Sequence, residues 1–514
     1  GTSSFKHDGS WMNGSNSQLV FDDLKHAWLS NATNTDGAQM SLNGGPNVII
    51  KRMSYFGRLQ YNFKEKYLLN ATFRADGTSQ FASGNRWGYF PSFSAGWVVT
   101  NESFMENRGD WLNQFKLRAS WGQVGNQNVG NFQYLAPVSF NNVNYIFGNE
   151  EGADALVNGA YPSRLANPDL QWETSEQLDL GFDARLFDYK LNIGFDYYHK
   201  TTKDWLIQAP VLATAGAEGP WINGGDVTNK GVELSLNFSD SIGDDFNYGF
   251  TLNGAFNENN VGEIPTEDGI VHGEPNQIWN NSPEFYRAED GHALGYFWGY
   301  QTAGVFQNQE EIDAYGVQPD ASPGDIKYVD ITGDGQISEA DKTDIGDPNP
   351  NWTYGLSFNA DYKGFDFFVQ TNGVGGNQIV QVYRDPGSQV QNWSAEFLDR
   401  WHGEGTSNTV PRITLDGRNF SEFSDYYVED GDFFRISNVT LGYDLVKSMK
   451  KDFLFSQFRL YFTVQNLYTF TKYSGMDPEV GYGISTDDYN FSSGVDVGYY
   501  PRPRTYMMGL NVKF

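Results

Sequence analysis

The last strand-like segment of the chain is the feature that most constrains its fold. Residues 504–514 (RTYMMGLNVKF) alternate, so that every second side chain is apolar. The apolar set is Tyr506, Met508, Leu510, Val512 and Phe514, and on the opposite face only Met507 breaks a pattern of small and polar residues. A half-apolar strand of about ten residues suits a tilted crossing of a lipid bilayer. A strand of a soluble sandwich shows the same alternation, so the rest of the chain decides between the two.

The same period-two alternation recurs along most of the chain. It predicts strands at 55–63, 67–74, 93–99, 117–121, 178–186, 191–197, 232–238, 248–256, 352–362, 365–371, 434–445 and 458–464, and at the carboxy terminus. Helical periodicity is limited to short pieces such as 309–314 and 394–401. The sequence therefore predicts an all-β protein of about 13 antiparallel strands, with a giant soluble β-protein as the alternative.

Composition narrows the classes of protein to which the chain can belong. No run of about 18 apolar residues exists, so a helical membrane span is excluded. The net charge of −29 argues against nucleic acid and against an anionic membrane surface as partners. There is no cysteine, which excludes a disulfide framework and thiolate chemistry. Tyr, Trp and Phe stand near both ends of the alternating segments, as in the aromatic girdles of a membrane barrel.

The connections between the predicted strands alternate between short and long. Short turns fall near 64–66, 187–190, 239–245, 363–364 and 446–457, and the long segments are 76–90, 126–175, 202–230, 257–351, 375–431 and 471–503. Outer-membrane barrels have short periplasmic turns and long extracellular loops, so the sequence predicts a transmembrane antiparallel β-barrel. An odd count of about 13 strands leaves an unpaired edge in lipid. We therefore expect earlier strands upstream, and we expect the chain alone not to form a stable barrel.

Several stretches resemble the middle of SusC/RagA-type TonB-dependent outer-membrane transporters. They are 54–67 (SYFGRLQYNFKEKY), 73–96 (FRADGTSQFASGNRWGYFPSFSAG), 167–174 (NPDLQWET), 221–233 (WINGGDVTNKGVE) and 324–341 (GDIKYVDITGDGQISEAD), in the family's order. The family's barrel has 22 strands around an amino-terminal plug. The resemblance implies that residues 1–514 are a partial barrel domain, about the last 13 of those 22 strands. The plug, the first strands, the TonB-contacting segment and a signal peptide are not in this sequence.

The resemblance also implies a function, which is energised uptake of an oligomeric nutrient across the bacterial outer membrane. A SusD-like lipoprotein would act as a lid on the extracellular mouth, and TonB would act through the missing amino-terminal part. The other implied partners are the remaining barrel and plug segment and outer-membrane lipid. An oligosaccharide is the first expectation for the substrate, and an oligopeptide is the second. The alternative is a surface-exposed, β-rich glycan-binding protein without transport.

A calcium-loop pattern lies in an insertion at 325–345, within one predicted extracellular loop. Such a loop has oxygen ligands at its positions 1, 3, 5, 7 and 12 and a glycine at position 6 for the sharp turn. The residues here are Asp330, Thr332, Asp334, Gln336 (through its backbone carbonyl) and Asp341, and Ser338 can hold a water. Thr332 and Asp341 are weaker ligands than the usual residues. The sequence predicts Ca²⁺ that braces the loop, with an Asp/Gly-rich turn that binds nothing as the alternative.

Catalysis finds little support in the sequence, and the chain is therefore expected not to be an enzyme. The six histidines form no HExxH motif or close pair, and no GxSxG or GxxxxGK motif occurs. Aromatic residues in the long loops are better candidates for a binding site, because flat rings stack on sugars and pack on peptide side chains. The candidates are Trp221, Trp279, Tyr286, Trp298 and Trp393. Packing within the loops or in a girdle is the alternative role for each ring.

Overall fold

The structure is a computed structural model that describes residues 2–7, 10–16, 40–46, 49–140, 144–147, 155–279, 281–382, 393–414, 417–448, 454–480 and 492–514. Its largest feature is an antiparallel sheet of 14 strands that pair in chain order. The strands are β1 (Thr2–His7), β2 (Ile50–Phe63), β3 (Tyr67–Thr78), β4 (Trp87–Val98), β5 (Leu112–Asn126), β6 (Glu173–Leu186), β7 (Leu191–Lys203), β8 (Val227–Ile242), β9 (Phe246–Val261), β10 (Trp352–Tyr362), β11 (Phe365–Gly375), β12 (Phe433–Asp444), β13 (Gln457–Thr471) and β14 (Thr505–Lys513). Within the described residues, β1 and β14 are the outer strands of this sheet.

The predicted strands are all present, but the sheet contains one more. β1 pairs antiparallel with residues 50–55 of β2, where the sequence predicts a polar, loop-like start. The prediction of about 13 strands is therefore one short of the 14 that the described residues form. The segment TSSFKH escapes detection because Phe5 is its one large apolar residue. Backbone pairing with β2 does not require the apolar alternation by which the other strands are recognised.

The short connections are tight hairpins whose backbone conformation explains their residues. Lys363 and Gly364 join β10 to β11 with φ of 46° and 93°, which is the geometry of a type I′ turn. Lys64 and Glu65 in the β2–β3 turn also have positive φ, at 54° each. These turns match the right-handed twist of the flanking strands, and they hold successive strands in register.

The two faces of the sheet differ in polarity, as the alternation predicts. One cross-strand row contains Leu59, Ala71, Phe93, Trp121 and Leu178. The adjacent row contains Gln60, Asn70, Ser94, Ser120 and Asp179. The first row belongs to what we call the apolar face and the second to the polar face. Leu59 is 70 % exposed and Met508 is 83 % exposed, so the apolar face leaves large side chains uncovered by protein.

The long connections carry short strands and helices of their own. The paired strands are Ser10–Asn16 with Met40–Pro46, Val138–Ser139 with Tyr161–Pro162, Asn144–Phe147 with Ala155–Asn158, Leu206–Gln208 with Trp221–Asn223, and Thr302–Val305 with Ile326–Tyr328. A four-stranded sheet contains Ile270–His272, Tyr286–Glu289, Tyr296–Tyr300 and Lys342–Gly346, and a three-stranded sheet contains Gln378–Gln381, Val428–Asp430 and Val495–Asp496. The helices are α1 (Gln309–Tyr315) and α2 (Leu445–Ser448), with 3₁₀ turns at Val99–Asn101, Ser103–Met105, Ala213–Ala215, Glu339–Asp341, Ala395–Asp399 and Asp425–Tyr427. No helix in the described ranges has the length and apolar character needed to cross a membrane.

The largest buried cluster lies among the long connections. It joins Phe285 and Phe297 of connection 262–351, Val380 and Phe423 of connection 376–432, and Val495 of connection 472–504, all with 0 % exposure. The three-stranded sheet links the last two connections, because Val380 pairs in parallel with Val495. The described parts of these three connections are called the outer-loop assembly below. It has a water-excluding core of its own, separate from the two faces of the 14-stranded sheet.

The two faces predict opposite responses to the same substitution. Leu59→Arg places a charge on the apolar face and should destabilise the fold by about 2–4 kcal/mol at the depth of a bilayer centre. Gln60→Arg places the same charge on the polar face and should change stability by less than about 0.5 kcal/mol. Urea unfolding in lipid vesicles, followed by gel mobility of unheated samples, measures both. Equal destabilisation by the two variants would contradict the assignment of the faces.

Candidate functional site in the outer loops and the polar face

The outer-loop assembly holds two of the predicted binding aromatics in its core. Tyr286 is 2 % exposed and packs edge-on against Phe285 at 4.8 Å between ring centroids. Trp279 is partly buried and lies 4.9 Å from the ring of Tyr427. The ring of Tyr286 has almost no exposed surface in this structure, and its role as a ligand-binding ring stays a prediction. Both rings instead hold the connections of the assembly together.

Trp298 is partly buried beneath a charged cluster. The guanidinium of Arg287 lies 4.1 Å from the centre of its ring. Nε and Nη2 of Arg287 donate to the two carboxylate oxygens of Glu284 at 2.6 and 3.0 Å. His272 lies on the other side of Glu284, with Nδ1 3.0 Å from Oε2, and its Nε2 is 2.8 Å from Asp268 Oδ2. Hydrogen bonding to Glu284 raises the pKa of His272, and the contact with Asp268 adds to this.

The two remaining aromatic candidates lie elsewhere. Trp221 packs partly buried against a cluster that includes Phe81 and Trp172. Trp393 is 37 % exposed, and its ring meets Phe397 edge-on at 5.3 Å. The structure therefore distributes the five candidates over separate clusters, and of the five only Trp393 is exposed. Their role in substrate binding stays a prediction.

The predicted calcium loop is closed by its own hydrogen bonds. Oδ1 of Asp341 accepts from the backbone N–H groups of Ile331 and Thr332, each at 3.0 Å, and Oδ2 accepts from the N–H of Ser338 at 2.8 Å. Asp330 accepts from the N–H groups of Gly333 and Gly335 at 2.6 and 3.0 Å. Burial alone would raise the pKa of Asp341, but these donors outweigh it and lower the pKa to about 2.

The loop carboxylates do not converge on a common point. No group of three or more His, Asp or Glu side chains in the described part of the chain is arranged to hold a metal ion, and this includes Asp330, Asp334 and Asp341. The side chains of Thr332 and Ser338 also donate to Asp341, so they serve the loop itself. Calcium binding would require these carboxylates to reorient, and it stays a prediction.

The polar face carries charged pairs that link neighbouring strands. Arg118 of β5 binds Asp183 of β6 at 3.1 Å and Asp196 of β7 at 2.8 Å. Farther along the sheet, Nε of Arg459 on β13 donates to Asp366 of β11 at 2.7 Å. These groups are matched with one another, so these parts of the polar face carry paired charges in contact with solvent.

A cavity of about 710 Å³ opens on the polar face where β2–β5 meet the long connections. Its lining includes Arg52, Arg74, Asp76, Gln80, Asn126 and Trp172, and we call it the outer-wall cavity. Sequence reasoning missed it because these residues come from separate strands and connections. The polar alternation of β2 and β3 was the available signal, since it places Arg52 and Arg74 on the same face.

Comparison with known proteins identifies the class of this fold. The model of the family described as "TonB dependent receptor-like, beta-barrel" matches residues 1–467. The chain therefore belongs to the TonB-dependent receptor β-barrel family, which consists of outer-membrane receptors and transporters and not of enzymes. The predicted all-β membrane barrel and the outer-membrane location are confirmed.

The relatives within that family include TonB-dependent receptors from two bacteria. It is 35 % identical over 468 residues to TonB-dependent receptor P3 of Formosa agariphila, which covers 90 % of this chain and 45 % of that protein. It is 30 % identical over 468 residues to TonB-dependent receptor SusC of Bacteroides thetaiotaomicron, covering 90 % of this chain and 44 % of SusC. The chain thus spans about half the length of the curated relatives it matches. A solved structure of the RagAB peptide transporter superposes with a TM-score of 0.77 at 24 % identity, covering 100 % of this chain and 52 % of that one.

His272 should make the outer-loop assembly sensitive to pH. A raised pKa means that its ion pairs stabilise fully below about pH 6.5 and are lost as the pH rises through the folded-state pKa. His272 is 38 % exposed, so screening limits the effect to about 1 kcal/mol or less. After correction for the intrinsic pH dependence of amide exchange, the protection of residues 266–289 should therefore fall on the alkaline side in the wild type and should not change with pH in His272→Gln. His402→Gln is the control, because His402 is exposed and its Nδ1 lies at the backbone oxygen of Arg400. An unchanged pH dependence in His272→Gln would contradict this role.

The loop at 325–345 offers a direct comparison between Asp341 and the predicted calcium ligands. Asp341→Ala removes the acceptor of several backbone N–H groups and should speed proteolysis of the loop several-fold, with calcium or with chelator. Asp334→Ala removes an acceptor of the N–H of Gln336 and should have a smaller effect. Calcium-dependent protection of the wild type that Asp330→Ala and Asp334→Ala both abolish would confirm the calcium prediction. Cleavage that is the same with calcium and chelator would show that Asp341 holds the loop without a metal.

Proposed function

We propose that this protein serves TonB-dependent uptake of an oligomeric nutrient across the bacterial outer membrane. The outer-wall cavity is the observation that carries this proposal. It opens on the polar face at the strand ends that lead into the long connections, where a substrate arriving from outside would first meet the barrel wall. A volume of about 710 Å³ suits a few units of a polar polymer.

A glycan is the first proposed substrate, and an oligopeptide is the second. Five side-chain amides line the cavity, namely Gln80, Gln123, Asn126, Gln127 and Asn128, and amides both donate to and accept from hydroxyl groups. The RagAB structure is that of a peptide transporter, which favours the second candidate by likeness of fold. Fold alone does not determine the substrate, so the chemistry of the cavity ranks the glycan first.

The proposed partners follow from the type of barrel. A SusD-like lipoprotein would cover the outer-loop assembly, and TonB would act from the periplasm through a plug segment. Such a lid needs a fixed surface, and the shared core of connections 262–351, 376–432 and 472–504 supplies one. The lid would enclose the substrate between itself and the outer-wall cavity.

A surface glycan-binding protein without transport is the alternative function. The apolar face argues against it, because exposed side chains such as Leu59, Met508 and Leu510 would aggregate in water. In lipid the same side chains are stabilising. A binding protein would therefore be extracted without detergent, whereas the transporter requires it.

Growth and pull-down experiments test the proposed function. Deletion of the gene should abolish growth on one glycan or peptide as the sole nutrient, and affinity purification from outer membranes should recover a surface lipoprotein. Complementation of the deletion strain with the wild-type gene is the control, and it should restore growth. Unimpaired growth on every nutrient, with no lipoprotein recovered, would contradict the uptake proposal and favour the alternative.

A further inference from the structure

The outer-wall cavity contains two arginines whose guanidinium groups are positioned by other side chains. Arg52 donates from Nη2 to Oε1 of Gln80 at 3.2 Å. Gln80 is 4 % exposed, and its Nε2 donates to the carbonyl of Val129 at 3.1 Å and to Oδ1 of Asn131 at 3.2 Å. A buried, doubly bonded amide therefore fixes the carbonyl oxygen to which Arg52 binds. Most of the five N–H donors of Arg52 remain available to a ligand.

Arg74 is held in a similar way on the next strand. Its Nε donates to Oδ2 of Asp76 at 2.5 Å, and Oδ1 of Asp76 accepts from the hydroxyl of Ser54. The side chain of Asp76 is 13 % exposed, whereas that of Arg74 is 54 % exposed. Nη2 of Arg74 makes a long hydrogen bond to Oγ of Ser54 at 3.5 Å, and the rest of the exposed guanidinium faces the open cavity. The pair Ser54–Asp76 lies directly between the pairs Arg52–Thr78 and Phe56–Arg74 in the register of β2 and β3. Arg52 and Arg74 therefore lie on either side of the Ser54–Asp76 pair on the polar face.

The charge of the cavity is opposite to that of the whole chain. Arg52, Arg74 and Asp76 are its charged lining residues, and both carboxylate oxygens of Asp76 are already engaged. This gives a local charge of +1 in a protein with a net charge of −29. Guanidinium groups bind carboxylate and sulfate oxygens with two parallel hydrogen bonds, which makes them specific for such anions.

The rest of the lining favours a sugar over a peptide. The rings of Phe90 and Trp172 are 6 % and 9 % exposed and are packed against each other edge-on, so they offer little apolar surface to a peptide side chain. The amides of Gln123, Asn126 and Asn128 surround the opening. Gln123 and Asn126 already donate to Glu176 and Glu173 at 3.0 and 2.9 Å, so their carbonyl oxygens are the groups that can accept from sugar hydroxyls.

We propose that the outer-wall cavity binds an anionic oligosaccharide, with the acid group of one sugar unit between Arg52 and Arg74 and its hydroxyls on the amides. This assignment rests on the proposed uptake function and names the substrate class for it. Arg52 and Arg74 would discriminate against neutral sugars, because an uncharged unit leaves their donors without a matching acceptor.

Binding to the detergent-purified protein tests the assignment. The probes are a short oligogalacturonate, a sulfated oligosaccharide, a neutral maltooligosaccharide of the same length and an oligoglutamate. We expect the uronate or the sulfated sugar to bind at least about tenfold more tightly than the neutral sugar and the peptide, since a charged hydrogen bond is worth about that factor. Comparison of the uronate with the sulfated sugar identifies the acid group. Preference for the oligoglutamate or the neutral sugar would overturn the assignment.

Substitutions inside and outside the cavity test whether the anion binds at Arg52 and Arg74. Arg52→Gln and Arg74→Gln should each weaken binding of the preferred anion about tenfold and leave neutral-sugar binding unchanged. Arg58→Gln is the control, because Arg58 lies on the same strand and face as Arg52 but outside the cavity. Its Nε donates to Oδ1 of Asn70. Arg52→Lys keeps the positive charge but lacks the planar guanidinium, so its loss of affinity for the anion should be intermediate. This graded loss distinguishes a change in the binding site from misfolding of the variant. Equal loss in Arg58→Gln, or no loss in the cavity variants, would overturn the assignment.

A growth assay with the same variants separates this assignment from the uptake proposal. One outcome is that the gene is required for growth on a neutral glycan or a peptide and that the strain with Arg52→Gln grows normally on it. This outcome would support the uptake proposal and contradict the assignment of an anionic substrate. A second outcome is that the purified protein binds the anion through Arg52 and Arg74 but deletion of the gene impairs growth on no nutrient. This outcome would support anion binding in the cavity and contradict the uptake proposal. Growth on an acidic glycan that is lost in Arg52→Gln and retained in Arg58→Gln supports both.

Discussion

The antiparallel backbone pairing of the 14-stranded sheet is the interaction on which the rest of the structure depends. Each inner strand bonds to two neighbours, so its N–H and C=O groups are satisfied without water. This satisfaction is what allows Leu59, Leu178 and similar side chains to face lipid. The strict alternation then directs the opposite set of side chains to one polar wall. The polar face and its cavity are therefore consequences of the same register that makes the apolar face.

The outer loops are anchored to the sheet at their ends, and between their ends they are stabilised by their own buried core. Arg435 of β12 shows how the two are joined. Its guanidinium is 2 % exposed and binds Asp477 and Glu479 of connection 472–504, while its Nε donates to Thr469 of β13. Removing one member of such a buried pair leaves an uncompensated charge, which costs more than a surface pair would. The last connection is thereby held against the wall of the barrel.

The strands could be predicted from the sequence because their alternation is a local property. β1 could not, since pairing at the edge of a sheet does not require an apolar pattern and TSSFKH has none. The burial of Tyr286 could not be predicted for a different reason. Aromatic residues in a polar segment suggest a ligand surface, but connections 262–351, 376–432 and 472–504 share a buried core, and that core depends on contacts between distant segments.

The outer-wall cavity also could not be predicted from local sequence patterns. Its shape depends on Gln80 reaching across to Val129 and on Arg52 meeting Gln80, and nothing in the sequence around any one of them records these contacts. The calcium loop shows the reverse case. Its spacing of oxygen-bearing residues is a strong local signal, yet the structure uses Asp341 to bind the loop's own N–H groups.

Cysteine accessibility along β2 tests the central claim most directly, which is that one face of the sheet meets lipid and the other meets water. The chain has no cysteine, so single replacements at Leu59, Gln60, Tyr61 and Asn62 can be labelled without background. In intact outer membranes, a water-soluble maleimide should label Gln60→Cys and Asn62→Cys and spare Leu59→Cys and Tyr61→Cys. Uniform labelling of the four positions, or labelling of the opposite pair, would contradict the account.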